Sequence, residues 1–146
     1  MDNALGEIHQ EVDAELKGLS TIKIGGTVDY LVKPPTMEHL IQIVRQSKNE
    51  GTPFYLLGRG SNVVFADRVP GMLILTEEVD NTSIYKESGI IRAQCGAYLG
   101  TLAFQAKSNS LSGFEYIYQI PGTLGGGIYM NCGFREHSIS EIINKV

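Results

Sequence analysis

The sequence predicts an α+β protein, and three observations carry that expectation. A strand, a helix and a second strand follow one another over residues 28–57. After residue 63, short apolar runs succeed one another with no helix between them, unlike the regular alternation of a doubly wound sheet. The glycine-dense loop after the second strand also fails the dinucleotide fingerprint of such sheets. Gly58-x-Gly60 is followed by Val63 where a third glycine should stand, and no G-x-x-x-x-G-K-[ST] string occurs. The chain has 146 residues, 42% hydrophobic and 19% charged, enough apolar material for a core and typical of globular domains.

Taken in order, Met1 to Gly18 reads as a short helix, with Leu5, Ile8, Val12 and Leu16 spaced three or four apart and Gly18 as its stop. Val28-Asp29-Tyr30-Leu31-Val32 has strand character, with Val28, Tyr30 and Val32 on one face, and Pro34-Pro35 ends it. Thr36 caps a helix that carries Met37, Leu40, Ile41 and Val44 as a core stripe, places Glu38 in its first turn and ends at Gly51. Pro53 to Leu57 is short and apolar, which predicts a strand buried on both faces. Further short strands are expected at Val63 to Ala66, Met72 to Leu75, Ser83 to Tyr85 and Ile90 to Ala93. Turn signals separate them at Asp67-Arg68, Val69-Pro70-Gly71, Asp80-Asn81 and Ser88-Gly89. A second helix is expected from Tyr98 to Ser108 with Leu99, Leu102, Ala103 and Ala106 on one face and Asn109 at its end. Beyond Gly113 the composition shifts to glycine and aromatics, the mark of a second subdomain.

Two segments carry the chemistry. In Leu57-Gly58-Arg59-Gly60-Ser61-Asn62, the glycines permit positive φ and close backbone approach, while the Ser61 hydroxyl and Asn62 amide add donors. Taken alone it is equally a tight turn between two apolar runs. The second segment, Ile120-Pro121-Gly122-Thr123-Leu124-Gly125-Gly126-Gly127, offers a surface without side chains. Its glycines would cost a helix about 3 to 4 kcal/mol relative to alanine, so packing is not the expected reason for them. A helix N-terminus at Gly122-Thr123 would point N–H groups at an anion. Together the two segments read as two walls of one anion site, and a dinucleotide is the ligand that suits them best.

The net charge of −4 supplies no bulk attraction for nucleic acid or an anionic membrane. No run approaches the roughly 20 apolar residues of a membrane span, and the N-terminus has no basic segment followed by an apolar one, so a cytosolic protein is expected. Cys95 and Cys132 have no metal or C-x-x-C spacing and read as small buried thiols. His9, His39 and His137 have no carboxylate or second histidine at ligand spacing and read as solvated or structural. No metal site is expected.

Ser20-Thr21-Ile22-Lys23-Ile24-Gly25-Gly26, Asp29, Pro34, the Leu57 to Asn62 loop, Gly71, Leu111-Ser112-Gly113-Phe114-Glu115 and Ile120 to Gly126 occur in that order. This ordered set closely resembles the FAD-binding domain of the UDP-N-acetylenolpyruvoylglucosamine reductases, also called UDP-N-acetylmuramate dehydrogenases. The resemblance runs from about Ser20 to the last residue. It implies an FAD-binding domain of the type shared with vanillyl-alcohol oxidase and para-cresol methylhydroxylase, in two small α+β subdomains with FAD between them. Residues 1–19 would be an N-terminal helical segment, 20–112 the first subdomain and 113–146 the start of the second, with the substrate domain absent. By resemblance, Gly58, Arg59, Gly60, Ser61 and Asn62 surround the FAD pyrophosphate, and Ile120, Pro121, Gly122, Thr123, Gly125 and Gly126 line the opposite wall. Arg59 either pairs with phosphate or lies in solvent. Asn131 and Gly133 match the family's Asn-Ala-Gly segment, leaving Asn131 as a cofactor contact or a buried polar residue. Cys132 replaces the alanine and reads as a packing residue, a covalent flavin link being the alternative. Ser20-Thr21 and Lys23 match the family's N-terminal motif or form a turn with an exposed lysine. Phe134-Arg135-Glu136 departs from the Ala-Tyr-Gly of many relatives.

In the family, NADPH reduces FAD, which reduces UDP-N-acetylglucosamine enolpyruvate to UDP-N-acetylmuramate for peptidoglycan synthesis in the cytoplasm. The cofactor carries the chemistry and the protein orients it. The serine, arginine and glutamate that relatives use to protonate and stabilise the enol lie C-terminal to every motif seen here, so no residue of this chain is assigned as catalytic and activity alone is not expected. A noncatalytic FAD- or nucleotide-binding paralogue and a flavin subunit of another oxidoreductase are the alternatives.

Overall fold

The computed structural model describes residues 8–146, which divide into two compact units, the first ending at Val79 and the second running from Asp80 to Val146. The second unit includes the strands and the helix between residues 82 and 108.

The first unit is a four-stranded sheet with one helix. Its strands are β1 (His9–Glu15), β2 (Thr27–Lys33), β3 (Phe54–Leu57) and β4 (Arg68–Leu75), in the order β1-β2-β4-β3. β1 runs antiparallel to β2, whereas β4 is parallel to both β2 and β3. The strand β1 replaces the helix expected over Met1 to Gly18, of which Leu5 lies outside the described residues. Pairing with β2, from His9↔Lys33 to Glu15↔Thr27, satisfies the backbone groups that a helix would have paired internally. The helical stripe is accordingly unused: Val12 is 66% exposed, and Ala14 and Leu16, two residues apart, are the buried pair.

The helix α1 (Met37–Glu50) has the ends its sequence predicts. Thr36 Oγ1 accepts the His39 N–H at 3.3 Å, and Gly51 closes the other end at φ 69°. Its buried line is Leu40, Ile43 and Ser47, not the expected stripe through Ile41, which is exposed. The strand β3 also departs from expectation. At the sheet edge among the described residues, it leaves Tyr55 and Leu56 exposed and buries Leu57. Val63 to Ala66 forms no strand; the Gly26 and Thr27 N–H groups donate instead to the Ala66 and Asp67 carbonyls.

The run Val69-Pro70-Gly71, expected as a turn, lies inside β4 as a bulge. Val28 pairs with Val69 and Tyr30 with Met72, so β4 carries one extra residue there. A bulge is where a strand tolerates a proline. Gly71 takes φ 87°, and its N–H donates to Asp29 Oδ2 at 2.7 Å, while Asp29 Oδ1 accepts from Arg68. Ala14, Leu16, Val28, Leu31, Leu57, Leu73 and Leu75 form this unit's core.

The second unit begins with the hairpin of β5 (Thr82–Tyr85) and β6 (Ile90–Ala93), turned at Gly89. The helix α2 (Leu99–Ser108) follows, ending at Asn109 and burying Leu99, Leu102, Ala103 and Ala106 as predicted. A 3-10 turn spans Glu115–Gln119. The glycine-rich segment then forms a short helix, α3 (Leu124–Tyr129), where propensity argued against one. A minimal hairpin, β7 (Gly133–Phe134) with β8 (His137–Ser138), and a 3-10 turn at Ile139–Glu141 complete the unit. Ala97, Leu99, Leu102, Ala103, Ile117 and Ile139 form its core. No helix among the described residues is long and apolar enough to cross a membrane.

Candidate functional site

The Leu57 to Asn62 loop leaves β3 at its C-terminal end and is held in place from both sides. The Leu57 carbonyl accepts the N–H and the hydroxyl of Thr76, at 2.9 and 3.2 Å. The Gly60 carbonyl accepts the Thr21 N–H at 3.1 Å, which ties the loop to the Ser20-Thr21 motif. Gly60 has φ 59°, is buried, and carries no Cβ because one would collide with the Leu19 carbonyl. The glycine is thus required by the fold of the loop itself. Ser20, buried, donates its hydroxyl to the Ile24 carbonyl at 3.3 Å, and Lys23 sits exposed in the turn that its N–H closes onto the Ser20 carbonyl. A depression of about 270 Å³ opens over this arrangement, with Ser20, Thr21, Gly58, Arg59 and Glu77 among its lining residues. Arg59 and Asn62 are exposed and Ser61 and Gly58 half-buried. Glu77 was missed in the sequence, where it reads only as a charged residue after an apolar run.

The predicted residues of the second wall lie together in the second unit. Ile120 ends the 3-10 turn, Pro121 is exposed, and Gly122 lies at φ 135° with its carbonyl accepting the Leu99 N–H at 3.1 Å. The anion-facing N–H array expected at Gly122-Thr123 is partly spent inside the unit. The Leu124 N–H donates to the Ala97 carbonyl at 2.7 Å and the Gly125 N–H to the Cys95 carbonyl at 2.8 Å. Packing also explains two glycines it was not expected to explain. A Cβ on Gly125 would press on Cys95, and one on Gly127 would meet Cys132 Sγ and Leu99. Gly126 differs, since it is exposed and a Cβ there would make only ordinary contact with Thr123 Oγ1. That oxygen is buried and has no hydrogen-bond partner, an orphaned acceptor and donor beside the open glycine.

Asn131 follows α3 with φ 45°, and its Oδ1 accepts the Ser140 N–H at 3.4 Å. It is exposed, so the buried polar alternative does not hold. Gly133 pairs with Ser138, and a Cβ there would collide with the His137 carbonyl. Cys95 and Cys132 are half-buried free thiols, and burial raises the pKa of both. Cys132 packs against the second core, and a thiol held protonated is a poor nucleophile, which favours packing over a covalent link. His9 and His137 do have carboxylate neighbours, Glu11 at 2.8 Å and Glu141 at 2.9 Å, and both pairs are exposed. The His137 pair belongs to a capping box between Ser138 and Glu141, whose S-x-x-E spacing was legible in the sequence but not used.

The FAD binding domain family matches residues 28–143. This chain belongs to that family. A UDP-N-acetylenolpyruvoylglucosamine reductase of Clostridium botulinum (strain Eklund 17B / Type B) is 34% identical over 144 residues, covering 98% of this chain and 47% of that protein. The reductase of Prochlorococcus marinus (strain NATL2A) is 32% identical over 143 residues, covering 97% and 49%. The chain spans about half the length of the curated relatives it matches. Among solved structures, the UDP-N-acetylenolpyruvylglucosamine reductase of Thermus caldophilus aligns with a TM-score of 0.65 at 26% identity, over 90% of this chain and 45% of that one. Aclacinomycin oxidoreductase, at 14% identity and a TM-score of 0.53 over 69% of this chain and 22% of that one, shares the fold. The α+β architecture is therefore that of the FAD binding domains of the vanillyl-alcohol oxidase and para-cresol methylhydroxylase type, and the chain corresponds to the FAD-binding portion of the reductases.

Proposed function

We propose that this chain holds FAD for an NADPH-dependent reductase that converts UDP-N-acetylglucosamine enolpyruvate to UDP-N-acetylmuramate in cytoplasmic peptidoglycan synthesis. The observation that carries the proposal is the match along 98% of the chain to a named reductase, with every glycine-dense motif inside it. The residues present suit the cofactor. The depression beside Gly58 offers glycine backbone to a pyrophosphate, and the bare Gly126 beside the orphaned Thr123 hydroxyl offers a flat surface with one unused polar atom. Bound FAD supplies the hydride chemistry. The residues we assign to binding and orienting it are Gly58, Arg59, Gly60, Ser61, Asn62, Ile120, Pro121, Gly122, Thr123, Gly125, Gly126, Asn131 and Gly133. Gly60 and Gly125 do so by shaping backbone, since Gly60 is buried and the Gly125 N–H is already engaged. The two free thiols accord with a reducing compartment.

FAD is expected over FMN, because two separate glycine-dense segments suit a ligand with a pyrophosphate flanked by two bulky groups, whereas FMN ends in a single phosphate. Chromatography of the flavin released on denaturing the purified protein tests this; FMN alone, or no flavin after incubation with FAD, would sink the proposal. By the resemblance, the family's proton donor and enol-stabilising charges lie C-terminal to every motif of this chain. Substrate-dependent NADPH oxidation is therefore expected to be absent from the 146-residue chain and to need the rest of the relatives' length.

A further inference from the structure

We infer that Glu141 is a positioning residue for the Asn131 turn and, through it, sets how tightly that turn holds FAD; this rests on the FAD-holding role proposed above. Both carboxylate oxygens are engaged. Oε1 accepts the Ser138 N–H at 2.8 Å, and Oε2 lies 2.9 Å from His137 Nδ1. The Ser138 side chain completes the box by accepting from the Glu141 backbone. Tyr116 closes the arrangement from the 3-10 turn at Glu115–Gln119: its hydroxyl donates to the Ser138 carbonyl at 2.7 Å, and its ring stacks on His137 with centroids 5.3 Å apart.

These contacts converge on Asn131. The 3-10 turn that Glu141 caps presents the Ser140 N–H to Asn131 Oδ1 and the Ile139 N–H to the Cys132 carbonyl, at 3.4 and 2.8 Å. Asn131 lies at φ 45°, in the left-handed region that asparagine tolerates better than most residues other than glycine, and the Ser140 N–H on its Oδ1 fixes the side chain there. Of the turn and its hairpin, Ile139 alone is in the core; Phe134, Arg135 and Glu136 are exposed. Removing the Glu141 carboxylate therefore loosens the turn while the core of Leu99, Leu102 and Ile117 stays packed.

Ionisation is part of the device. The His137 hydrogen bond, and after it the Ser138 N–H, hold the Glu141 carboxyl below its ordinary value of 4.5. The titratable groups around it are His137, Tyr116 and Cys132, and burial raises the pKa of the last two. Glu115 is turned away to the Gly113 N–H. Because the folded value is lowered, the contribution of Glu141 is complete above 4.5 and is lost as pH falls through the folded value.

The test titrates FAD into the full chain and into Glu141→Ala and Glu141→Gln by flavin fluorescence, at neutral pH and in acid, with circular dichroism to verify folding. Glu141→Ala should bind about tenfold more weakly at neutral pH with a shifted flavin absorption band. Glu141→Gln, which keeps an acceptor for Ser138, should recover to within about threefold and flatten the acid dependence of the wild type. If Glu141→Ala fails to fold, Glu141→Gln carries the test through its pH profile. Unchanged affinity and absorption in a folded Glu141→Ala, or a Glu141→Gln profile that follows the wild type into acid, overturns the inference alone. Wild-type protein that binds no FAD overturns the proposed function, and this inference falls with it.

Discussion

The two glycine-rich segments look alike in the sequence and exist for different physical reasons. In the 57–62 loop, Gly60 is needed for conformation and close approach together, at φ 59° against the Leu19 carbonyl. In α3 the glycines have ordinary helical backbone, and what they provide is room. Gly125 and Gly127 spend that room on Cys95, Cys132 and Leu99, and only Gly126 leaves it open to the outside. Glycine density therefore does not measure a ligand surface. The residue to suspect of facing a ligand is the one glycine in the helix whose absent side chain the protein itself does not fill.

The comparison breaks most visibly at Gly60. Gly60→Val should cost about 3 kcal/mol or more, the left-handed strain and the overpacking acting together, and lower the melting temperature by roughly 10 °C. A melting curve unchanged from wild type would show that the loop tolerates a side chain and that its glycine serves only a ligand. Gly125→Ala should cost less, about 1 to 2 kcal/mol, because the crowding against Cys95 is partly offset by the gain in helix propensity. Denaturant unfolding would measure it, and a stabilised variant would remove the packing explanation. Gly126→Ala should do the opposite and stabilise the protein by up to about 1 kcal/mol, since the site is helical and open, while weakening FAD binding several-fold. Higher stability with full FAD affinity would leave Gly126 without a ligand role.

The finest effect is expected at Asp29, where the Gly71 N–H and then Arg68 hold the carboxyl below its ordinary 3.8. A lowered folded value means that the stability it contributes is present above 3.8 and is lost as pH falls through the folded value. Asp29→Asn should therefore flatten the acid limb of the melting temperature against pH. Coincident wild-type and variant curves below pH 4 would remove Asp29 from the acid response.

What the sequence made legible was whatever local chemistry decides. Thr36 and Gly51 bracket α1 because a side-chain cap and a left-handed glycine are local devices, and the α2 face reads correctly because its stripe is buried on one side. Pairing decided the failures. Leu5, Ile8, Val12 and Leu16 stand at near-helical spacing, but for His9–Glu15 a strand partner 12 or more residues away overrides that pattern. Pro70-Gly71 has the chemistry of a turn, and only the register against β2 reveals a bulge. Ile41 fits the helical stripe of α1, yet the buried line through Leu40, Ile43 and Ser47 passes it by, since the direction of the core is set by the sheet. At the candidate site, the motifs were legible as an ordered set, whereas the Ser138 to Glu141 box was written in plain spacing and gained meaning only when its Ser140 N–H met Asn131.

The bulge at Gly71 bears on how the chain finds its fold. Asp29 and Gly71 stand 42 residues apart, and the bond between them exists only when β2 and β4 have met in one alignment. A slip of one residue would turn the inward side chains of β4 outward and leave the carboxylate facing no N–H. The contact thus rewards the correct alignment of a parallel pairing, the kind of long-range closure that is slow to form because loop entropy must first be overcome. The hairpin of β5 and β6, whose partners are close in sequence, has no need of such a check.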